Sequence, residues 1–388
     1  MAPTPLLYCV WEITLRCDLA CGHCGSRAGK ARPDELSTAE CLDVVRQLAD
    51  MGCREMTLIG GEAYLRPDWT EIAAAAVTAG LVCTMTTGGR GLTAERARAA
   101  KAAGMSSVSV SVDGLSETHD RLRGVRGSWE RAVEALGHLR AAGLLASMNT
   151  QVNRLNASEL EALLELLIER GCFAWQVQLT VPMGRAADNA EWLLQPSDLL
   201  ELIPRIAALK ERAAASGVRL FPGNNVGYFG PHEHALRSDQ YPQGHSPGCS
   251  AGLHTLGLEA DGKVKGCPSL PSDAYTGGNV RERSIREIWD QASELSFARE
   301  RRVELWGFCR DCYYAEDCMA GCTWTAHVFF GRPGNNPYCH HRALERQRAG
   351  LRERLVRVAP APGDPFDHAR FELELEPLSR RPLPVAAP

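Results

Sequence analysis

The spacing of the cysteines constrains this chain more than any other feature of its sequence. Ten of the 15 cysteines form two groups near opposite ends of the 388 residues, and the other five are scattered. The first group is a C-x3-C-x2-C triplet, Cys17, Cys21 and Cys24. The second group consists of Cys249, Cys267, Cys309, Cys312, Cys318, Cys322 and Cys339, and the scattered five are Cys9, Cys41, Cys53, Cys83 and Cys172.

The rest of the composition predicts a cytoplasmic globular protein. There is no long apolar run, and the start Met1-Ala2-Pro3-Thr4-Pro5 lacks the basic and apolar regions of a signal peptide. In the cytoplasm, clustered cysteines indicate metal or redox chemistry rather than disulfides. With 43 Lys and Arg against 47 Asp and Glu and no basic block, the chain is not expected to bind nucleic acid or a membrane surface.

Thiolates in these patterns suit two kinds of metal site. Zinc takes four protein ligands in structural sites, or three with an open catalytic position. A [4Fe–4S] cluster also takes cysteines, and a three-cysteine run leaves one iron free for a ligand that is not protein. Core packing does not space seven cysteines like the second group, but for the triplet alone both zinc and core packing stay open.

Hydrophobic periodicity predicts strands alternating with helices over the first two-thirds of the chain. Such repetition produces parallel strands, and about six units would form a closed or partly open barrel with the functional loops at the carboxyl ends of the strands. The fold expected here is a partial (β/α)6 barrel of the TIM type. The triplet falls just after the first strand, where such a site belongs. Pro204 is expected to kink or split the last helix. The predicted strands are 7–15, 55–59, 81–87, 106–112, 144–152 and 174–181, and the helices 38–51, 69–79, 94–103, 129–142, 158–170 and 197–216.

These motifs together resemble radical S-adenosylmethionine (SAM) enzymes that carry a C-terminal SPASM domain. The match includes the triplet, Gly60-Gly61-Glu62 after the second strand, the turn from Ser109 to Gly114 at the fourth, and the seven-cysteine group. The resemblance implies a barrel domain over 6–221, a linker over 222–247 and a cysteine-rich iron–sulfur domain over 248–345. A C-terminal helix and tail are expected over 346–388. Beyond Arg357 the composition becomes Pro-rich and polar with an acidic run from Phe371, so the end of the chain is expected to be a tail or a docking strand.

The resemblance also implies the SAM site. The triplet would bind a [4Fe–4S] cluster whose open iron SAM chelates, giving a 5′-deoxyadenosyl radical. Gly60 and Gly61 would let the backbone approach the methionyl amine of SAM, and Glu62 would accept a hydrogen bond from that amine. Ser111 and Arg131 match positions that contact SAM in relatives, although a surface role for Arg131 stays open. His23 stands where many relatives have a bulky aromatic residue, as a neighbour of the cluster or as a solvent-facing loop residue.

Two auxiliary [4Fe–4S] clusters are implied for the second group. By resemblance, Cys309, Cys312, Cys318 and Cys339 would bind the outer cluster, and Cys249, Cys267 and Cys322 the inner one. Several relatives have a further cysteine shortly before the first of these, but the segment 238–243 has none. The inner cluster is therefore expected to keep an iron open, or to be capped by His245 or Asp239. Zinc bound to the second group is the alternative.

SPASM enzymes mostly modify ribosomally made peptides, and crosslinking or oxidation of such a peptide is the function predicted here. Alternatives are a dehydrogenase, decarboxylase or epimerase acting on a peptide or on a small metabolite (sugar, aminocyclitol or tetrapyrrole), and, from another class, a zinc-stabilised binding protein. Pro268 follows Cys267 where formylglycine-forming relatives have an Asp base, which disfavours that reaction. Cys9 and Cys83 could donate hydrogen in an epimerase if they point into the barrel.

The expected partners follow from the same resemblance. A precursor peptide is the expected substrate, and a separate recognition protein would present it, because the first strand starts almost at the beginning of the sequence. A flavodoxin- or ferredoxin-type protein would supply electrons. No catalytic residue beyond the cofactor ligands is assigned.

Overall fold

The computed structural model describes residues 5–378, so Met1 to Thr4 and the last ten residues of the predicted tail lie outside it. Seven parallel strands form the first part of the sheet, and they include all six that the sequence predicts. None of the helices within 5–378 is both long and apolar enough to cross a membrane. The parallel strands are β1 (Tyr8–Glu12), β2 (Glu55–Ile59), β3 (Val82–Thr87), β4 (Ser107–Ser111), β5 (Leu145–Val152), β6 (Ala174–Leu179) and β7 (Arg219–Pro222).

Nine helices accompany these strands in the described part of the chain. The helix Ser116–Arg123 was not predicted, because Leu122 is the single apolar residue among its eight. Pro204 lies inside a helix of 17 residues that stays one element, so the predicted split is wrong. The helices are α1 (Thr38–Asp50), α2 (Trp69–Thr78), α3 (Ala94–Ala102), α4 (Ser116–Arg123), α5 (Ser128–Ala141), α6 (Leu160–Glu169), α7 (Arg185–Asp188), α8 (Leu199–Ala215) and α9 (Glu233–Arg237).

The cysteine-rich region extends the same sheet. Its strands β8 (Thr255–Leu258), β9 (Lys263–Lys265) and β10 (Thr276–Asn279) continue from β1, because β8 pairs with β1 in parallel and β9 and β10 follow antiparallel. The order is β10-β9-β8-β1-β2-β3-β4-β5-β6-β7, so the barrel is partial, with edges at β7 and β10. The helices here are α10 (Ser272–Tyr275), α11 (Ile285–Gln291), α12 (Ser293–Ser296), α13 (Ala315–Cys318), α14 (Thr323–Phe330) and α15 (His340–Arg348).

Residues after α15 form an antiparallel hairpin of β11 (Leu351–Ala359) and β12 (Arg370–Pro377) rather than an extended tail. Leu355 and Phe371 are buried in the main core. The acidic run from Phe371 is therefore a strand, in which apolar and acidic residues alternate with the period of two that places them on opposite faces. The described part of the predicted tail is thus folded.

The two faces of the parallel sheet have different characters. Cys9, Met56 and Cys83 are register partners on the outer face, where the helices bury them. The inner face carries small polar side chains that are mostly half-buried. They include Thr84, Thr86, Ser107, Ser109, Ser111, Asn149, Gln151 and Gln178. The barrel interior is therefore polar and partly open, as a binding cavity requires, and the apolar core lies outside the sheet.

Candidate functional site

The triplet loop follows β1 and is held on two sides by backbone and side-chain hydrogen bonds. On one side, the N–H of Gly22 donates to the carbonyl of Leu122 at the end of α4 (2.8 Å). On the other side, the side-chain Nε of Arg185 donates to the carbonyl of Cys21 (2.6 Å). The backbone N–H of Arg185 donates to the carbonyl of Cys24 (2.9 Å). The sequence assigned no role to Arg185, which fixes the loop from the carboxyl end of β6.

Gly60 and Gly61 are needed because the turn after β2 packs directly on the triplet loop. A Cβ on Gly60 would lie 2.3 Å from the carbonyl oxygen of Thr14. A Cβ on Gly61 would lie 2.3 Å from the Arg16 oxygen and 2.6 Å from Cys17 Cβ. These distances leave no room for a side chain. In this structure the two glycines allow close packing on the triplet loop, and their approach to the methionyl amine of SAM stays a prediction.

Glu62 is buried, and both of its carboxylate oxygens have partners at the end of β3. Oε1 accepts from the N–H of Gly88 (2.7 Å), and Oε2 accepts from the Thr87 hydroxyl. Burial raises the pKa of Glu62 to about 7, and these hydrogen bonds oppose that rise. A carboxylate oxygen of Glu62, Cys17 Sγ and a carboxylate oxygen of Asp18 lie within 4.8 Å of one another. Glu62 thus stands beside the first thiol of the triplet.

A buried arginine that the sequence analysis missed contacts the triplet. Arg123 Nη1 lies 3.7 Å from Cys21 Sγ, and Nη2 lies 2.5 Å from Asp113 Oδ2. The same Asp113 oxygen lies 2.9 Å from His23 Nε2. Burial opposes ionisation of Asp113, but Arg123 and His23 hold its pKa well below the usual range. His23 is 3% exposed, so it is a buried neighbour of this network and not a solvent-facing residue.

Ser111 and Arg131, the other predicted SAM contacts, lie in different environments. Ser111 is half-buried on the inner face at the end of β4, beside Asn149 of β5. The Arg131 side chain is 64% exposed on α5 and pairs with Glu134 of the same helix (2.9 Å). A role in binding SAM stays a prediction for both, and only Ser111 already faces the barrel interior.

The four cysteines predicted for the outer cluster line one cavity, whose volume is about 360 Å³ including the part open to solvent. The remaining lining is largely aromatic and includes Tyr228, Phe229, Phe308 and Tyr314. Four thiols that line one aromatic cavity fit a [4Fe–4S] cluster, whose irons take one thiolate each. The four thiols are Cys309, Cys312, Cys318 and Cys339.

The three cysteines predicted for the inner cluster also lie together. Burial, together with the nearby thiols of Cys249 and Cys267, raises the pKa of the Cys322 thiol to about 12, so these three sulfur atoms lie within electrostatic range of one another. Cys249 and Cys267 pack against the small cluster of Ala251, Leu270 and Tyr275, as does Trp324. Metal binding would ionise these thiols, as iron–sulfur ligation requires.

Neither predicted cap of the inner group contacts it in the described structure. Asp239 pairs with Lys210 Nζ (2.6 Å), and the His245 ring lies 4.9 Å from that of Phe229, on the wall of the outer cavity. The other five cysteines are buried in the barrel core. Cys9 and Cys83 lie on the outer face of the sheet, so they do not point into the barrel as an epimerase would require.

Side-chain contacts connect the outer thiols, the inner thiols and the triplet loop. The Tyr228 hydroxyl accepts from the N–H of Cys322 (3.0 Å), while its carbonyl oxygen lies 3.8 Å from Cys339 Sγ. Trp324, two residues after Cys322, donates its indole N–H to Met183 Sδ (2.9 Å). Met183 in turn lies against Gly25, where an added Cβ would be 3.7 Å from its sulfur. The triplet loop is therefore connected to the segment that carries Cys322 through Met183 and Trp324.

Comparison with known proteins agrees with this arrangement. Residues 11–167 match the radical SAM superfamily, and residues 249–313 match an iron–sulfur cluster-binding domain, SPASM. An AdoMet-dependent heme synthase of Methanosarcina barkeri is 33% identical over 86% of this chain and 95% of its own length. A mycofactocin maturase of Mycobacterium ulcerans is 32% identical over 85% of this chain and 86% of its own length.

Solved structures share the fold at lower identity. Streptococcus suis SuiB bound to S-adenosylmethionine aligns with a TM-score of 0.67 at 17% identity, covering 87% of this chain and 76% of that one. Native anSMEcpe with bound AdoMet aligns with a TM-score of 0.70 at 15% identity, covering 88% of this chain and 95% of that one. The family matches and the thiol geometry lead to one conclusion: this chain belongs to the radical SAM superfamily, is an enzyme that binds SAM and iron–sulfur clusters, and carries a SPASM domain.

Proposed function

We propose that this enzyme crosslinks or otherwise oxidatively modifies a ribosomally made peptide, using one SAM-binding cluster and two auxiliary [4Fe–4S] clusters. The observation that carries the proposal is the contact of Met183 with both Gly25 of the triplet loop and Trp324 beside Cys322. This contact supports a barrel mouth that lies beside both the proposed SAM-binding loop and the inner thiols. A substrate in the mouth is then close to a radical source and to an electron acceptor, as a net oxidation requires.

Bound SAM and its cluster supply a hydrogen-abstracting 5′-deoxyadenosyl radical, and the residues of this chain position what it attacks. Glu62 and Ser111 are the proposed SAM contacts at the ends of β2 and β4, with Arg131 as a further one. The hydroxyl and amide groups on the inner face, such as Ser109 and Gln178, offer donors and acceptors for a peptide backbone. Arg123 holds the position of Cys21 from the protein side.

The relatives support a peptide substrate. Mycofactocin maturases are 30–32% identical, and a PqqA peptide cyclase of Rhizobium meliloti is 29% identical over 89% of this chain. The inner cluster is proposed to have three cysteine ligands, because the described structure brings no fourth thiol to it. A separate recognition protein and a flavodoxin- or ferredoxin-type reductant complete the proposed cytoplasmic system.

A tetrapyrrole substrate is the second candidate. It is favoured by the AdoMet-dependent heme synthases, of which the Methanosarcina barkeri protein is 33% identical to this chain. The polar inner face of the barrel is compatible with either substrate, and the chemistry in both cases would be a net oxidation.

The test is anaerobic incubation of the reconstituted enzyme with SAM, a reductant and the small peptide encoded beside its gene, followed by mass spectrometry. Loss of two hydrogen atoms from the peptide supports crosslinking or oxidation. Incorporation of solvent deuterium without that loss would show epimerisation instead. Parallel incubation with an iron porphyrin that carries propionates tests the second candidate, and turnover of the porphyrin alone would overturn the peptide proposal.

A further inference from the structure

A group of buried charges lies behind the outer thiol cavity. Arg342 of α15 is 2% exposed, and its guanidinium donates two hydrogen bonds to the carboxylate of Glu353 on β11 (2.6 and 3.0 Å). Arg346, one turn later on α15, also pairs with Glu353 (2.9 Å). We call these three residues the charge triad. Because two cations share one buried carboxylate, the charge triad has one net positive charge.

The ring of Phe308 connects the charge triad to the outer cavity. Its centroid lies 5.2 Å from Cζ of Arg342 and 5.0 Å from Cζ of Arg346. The same ring lines the outer cavity, next to Cys309. An aromatic wall screens charge far less than water does, so the positive charge of the triad acts on the thiols of this cavity.

Hydrogen bonds also link Arg342 to two of the outer thiols. Its backbone N–H donates to Sγ of Cys339, the residue that caps the start of α15 (3.5 Å). Its side-chain Nη1 donates to the carbonyl of Asn336 (3.0 Å), and the N–H of Asn336 donates to Cys309 Sγ (3.4 Å). The guanidinium therefore fixes the backbone that holds Cys309.

Asn336 carries a further donor at the same cavity. It is 2% exposed and lines the outer cavity. Its Oδ1 accepts from the N–H of Tyr338 (2.9 Å), whereas Nδ2 has no acceptor among the residues that the structure describes. A buried donor without an acceptor is unfavourable, and a sulfur atom bound in this cavity would provide one. The donors here thus fit a group that carries negative charge on sulfur.

We propose that Arg342 is a positioning residue for the outer cluster: through Asn336 it holds Cys309 in place, and its charge raises the reduction potential. This inference rests on the proposed function, because it takes the outer thiols to bind a [4Fe–4S] cluster. Reduction adds negative charge to such a cluster, so a net positive charge and N–H donors beside its thiolates favour the reduced state. The outer cluster is then a stronger electron acceptor, as a net oxidation of the substrate requires.

The test is a redox titration of the reconstituted full-length enzyme, followed by electron paramagnetic resonance. The outer-cluster signal is identified as the one that the double variant Cys312→Ala/Cys318→Ala loses. Arg342→Gln removes one cation but leaves the other ion pair of the charge triad in place, and we expect a downward shift of the outer-cluster potential. Arg342→Lys keeps the charge and should restore most of the potential. Arg348→Gln, on an exposed side chain of the same helix, should leave it unchanged.

Glu353→Gln supplies the opposite change. It removes the negative charge and leaves both arginines, so the outer-cluster potential should shift upwards. Shifts of opposite sign are expected from charge, since a disturbance of packing alone gives no reason for the sign to reverse. If Arg342→Gln loses iron, Arg342→Lys and Glu353→Gln decide the outcome.

Equal outer-cluster potentials in Arg342→Gln and Arg348→Gln would overturn the inference. A shift of the same sign in Arg342→Gln and Glu353→Gln would also overturn it. Both results leave the proposed function intact if Cys312→Ala/Cys318→Ala has lost about four irons, because the outer cluster is then present. Unchanged iron content in that double variant would overturn the inference together with the number of clusters in the proposed function.

Discussion

The indole N–H of Trp324 donates to the sulfur of Met183 across a distance of 2.9 Å. This contact joins the two parts of the chain that the cysteine pattern separates, since Trp324 follows Cys322 closely and Met183 lies against Gly25. Met183 and Trp324 thus form a contact between the triplet loop and the segment that carries Cys322. The relative position of the two cluster sites is therefore set by side-chain packing as well as by the shared sheet.

Met183→Ala should weaken this junction. The side chain is 2% exposed, so its loss leaves a cavity and an unpaired indole N–H, and about 2–5 kcal/mol of stability should be lost. Met183→Leu keeps the volume and should cost less than about 1.5 kcal/mol. Thermal unfolding of the reconstituted enzymes, together with product formed per SAM cleaved, measures both effects. Identical behaviour of the alanine variant and the unaltered enzyme would contradict a structural role for the contact.

Arg123→Met should lower the reduction potential of the triplet cluster, because it removes a positive charge 3.7 Å from Cys21 Sγ. It also leaves Asp113 buried without its main partner, at a cost of about 3–5 kcal/mol. Arg121→Met, an exposed position on the same helix, is the matched control. Redox titration followed by electron paramagnetic resonance provides the measurement. A potential equal to that of the Arg121 variant would show that Arg123 does not act on the cluster.

Gly61→Ala should abolish 5′-deoxyadenosine formation and reduce iron retention in the triplet, because the new Cβ would overlap the backbone of the loop at Arg16. Gly137→Ala is the control, since a Cβ there meets nothing within 4 Å and alanine favours its helix by about 1 kcal/mol. Chromatography of the reaction products and iron analysis distinguish the two variants. Normal SAM cleavage by Gly61→Ala would mean that the turn can move away from the loop.

Tyr228→Phe should disturb the auxiliary sites without affecting the triplet. The buried hydroxyl accepts from the N–H of Cys322 and donates to the carbonyl of Asn224, so its removal leaves both groups unpaired and costs about 1–3 kcal/mol. Tyr313→Phe, on a side chain that is 91% exposed, should have no effect. We expect altered auxiliary-cluster resonance signals with unchanged uncoupled SAM cleavage. The same spectra for both variants would argue against this role of Tyr228.

The sequence predicted the elements that local patterns determine. The six strands and most barrel helices were located correctly because apolar residues recur in them with a regular period. The grouping of Cys309, Cys312, Cys318 and Cys339 was inferred from the family resemblance, and the structure brings these four thiols to one cavity.

The remainder depends on tertiary contacts that no local pattern reports. Arg123 and Tyr228 are polar residues whose roles come from burial beside distant cysteines. Helix α4 has too few buried residues to produce a period. The segment of β12 was interpreted as a tail or a docking strand because its Pro-rich and polar surroundings are too poor in apolar residues to build a core, although the alternation of glutamates with apolar residues also fits a strand with one buried face.

The most direct test of the account is an iron and acid-labile sulfide analysis of the anaerobically reconstituted protein, with its visible spectrum. Three [4Fe–4S] clusters predict about 12 irons and as many sulfides per chain, and Cys21→Ala should lose about four of each together with all 5′-deoxyadenosine formation. Zinc without sulfide, or SAM cleavage that survives Cys21→Ala, would contradict the account.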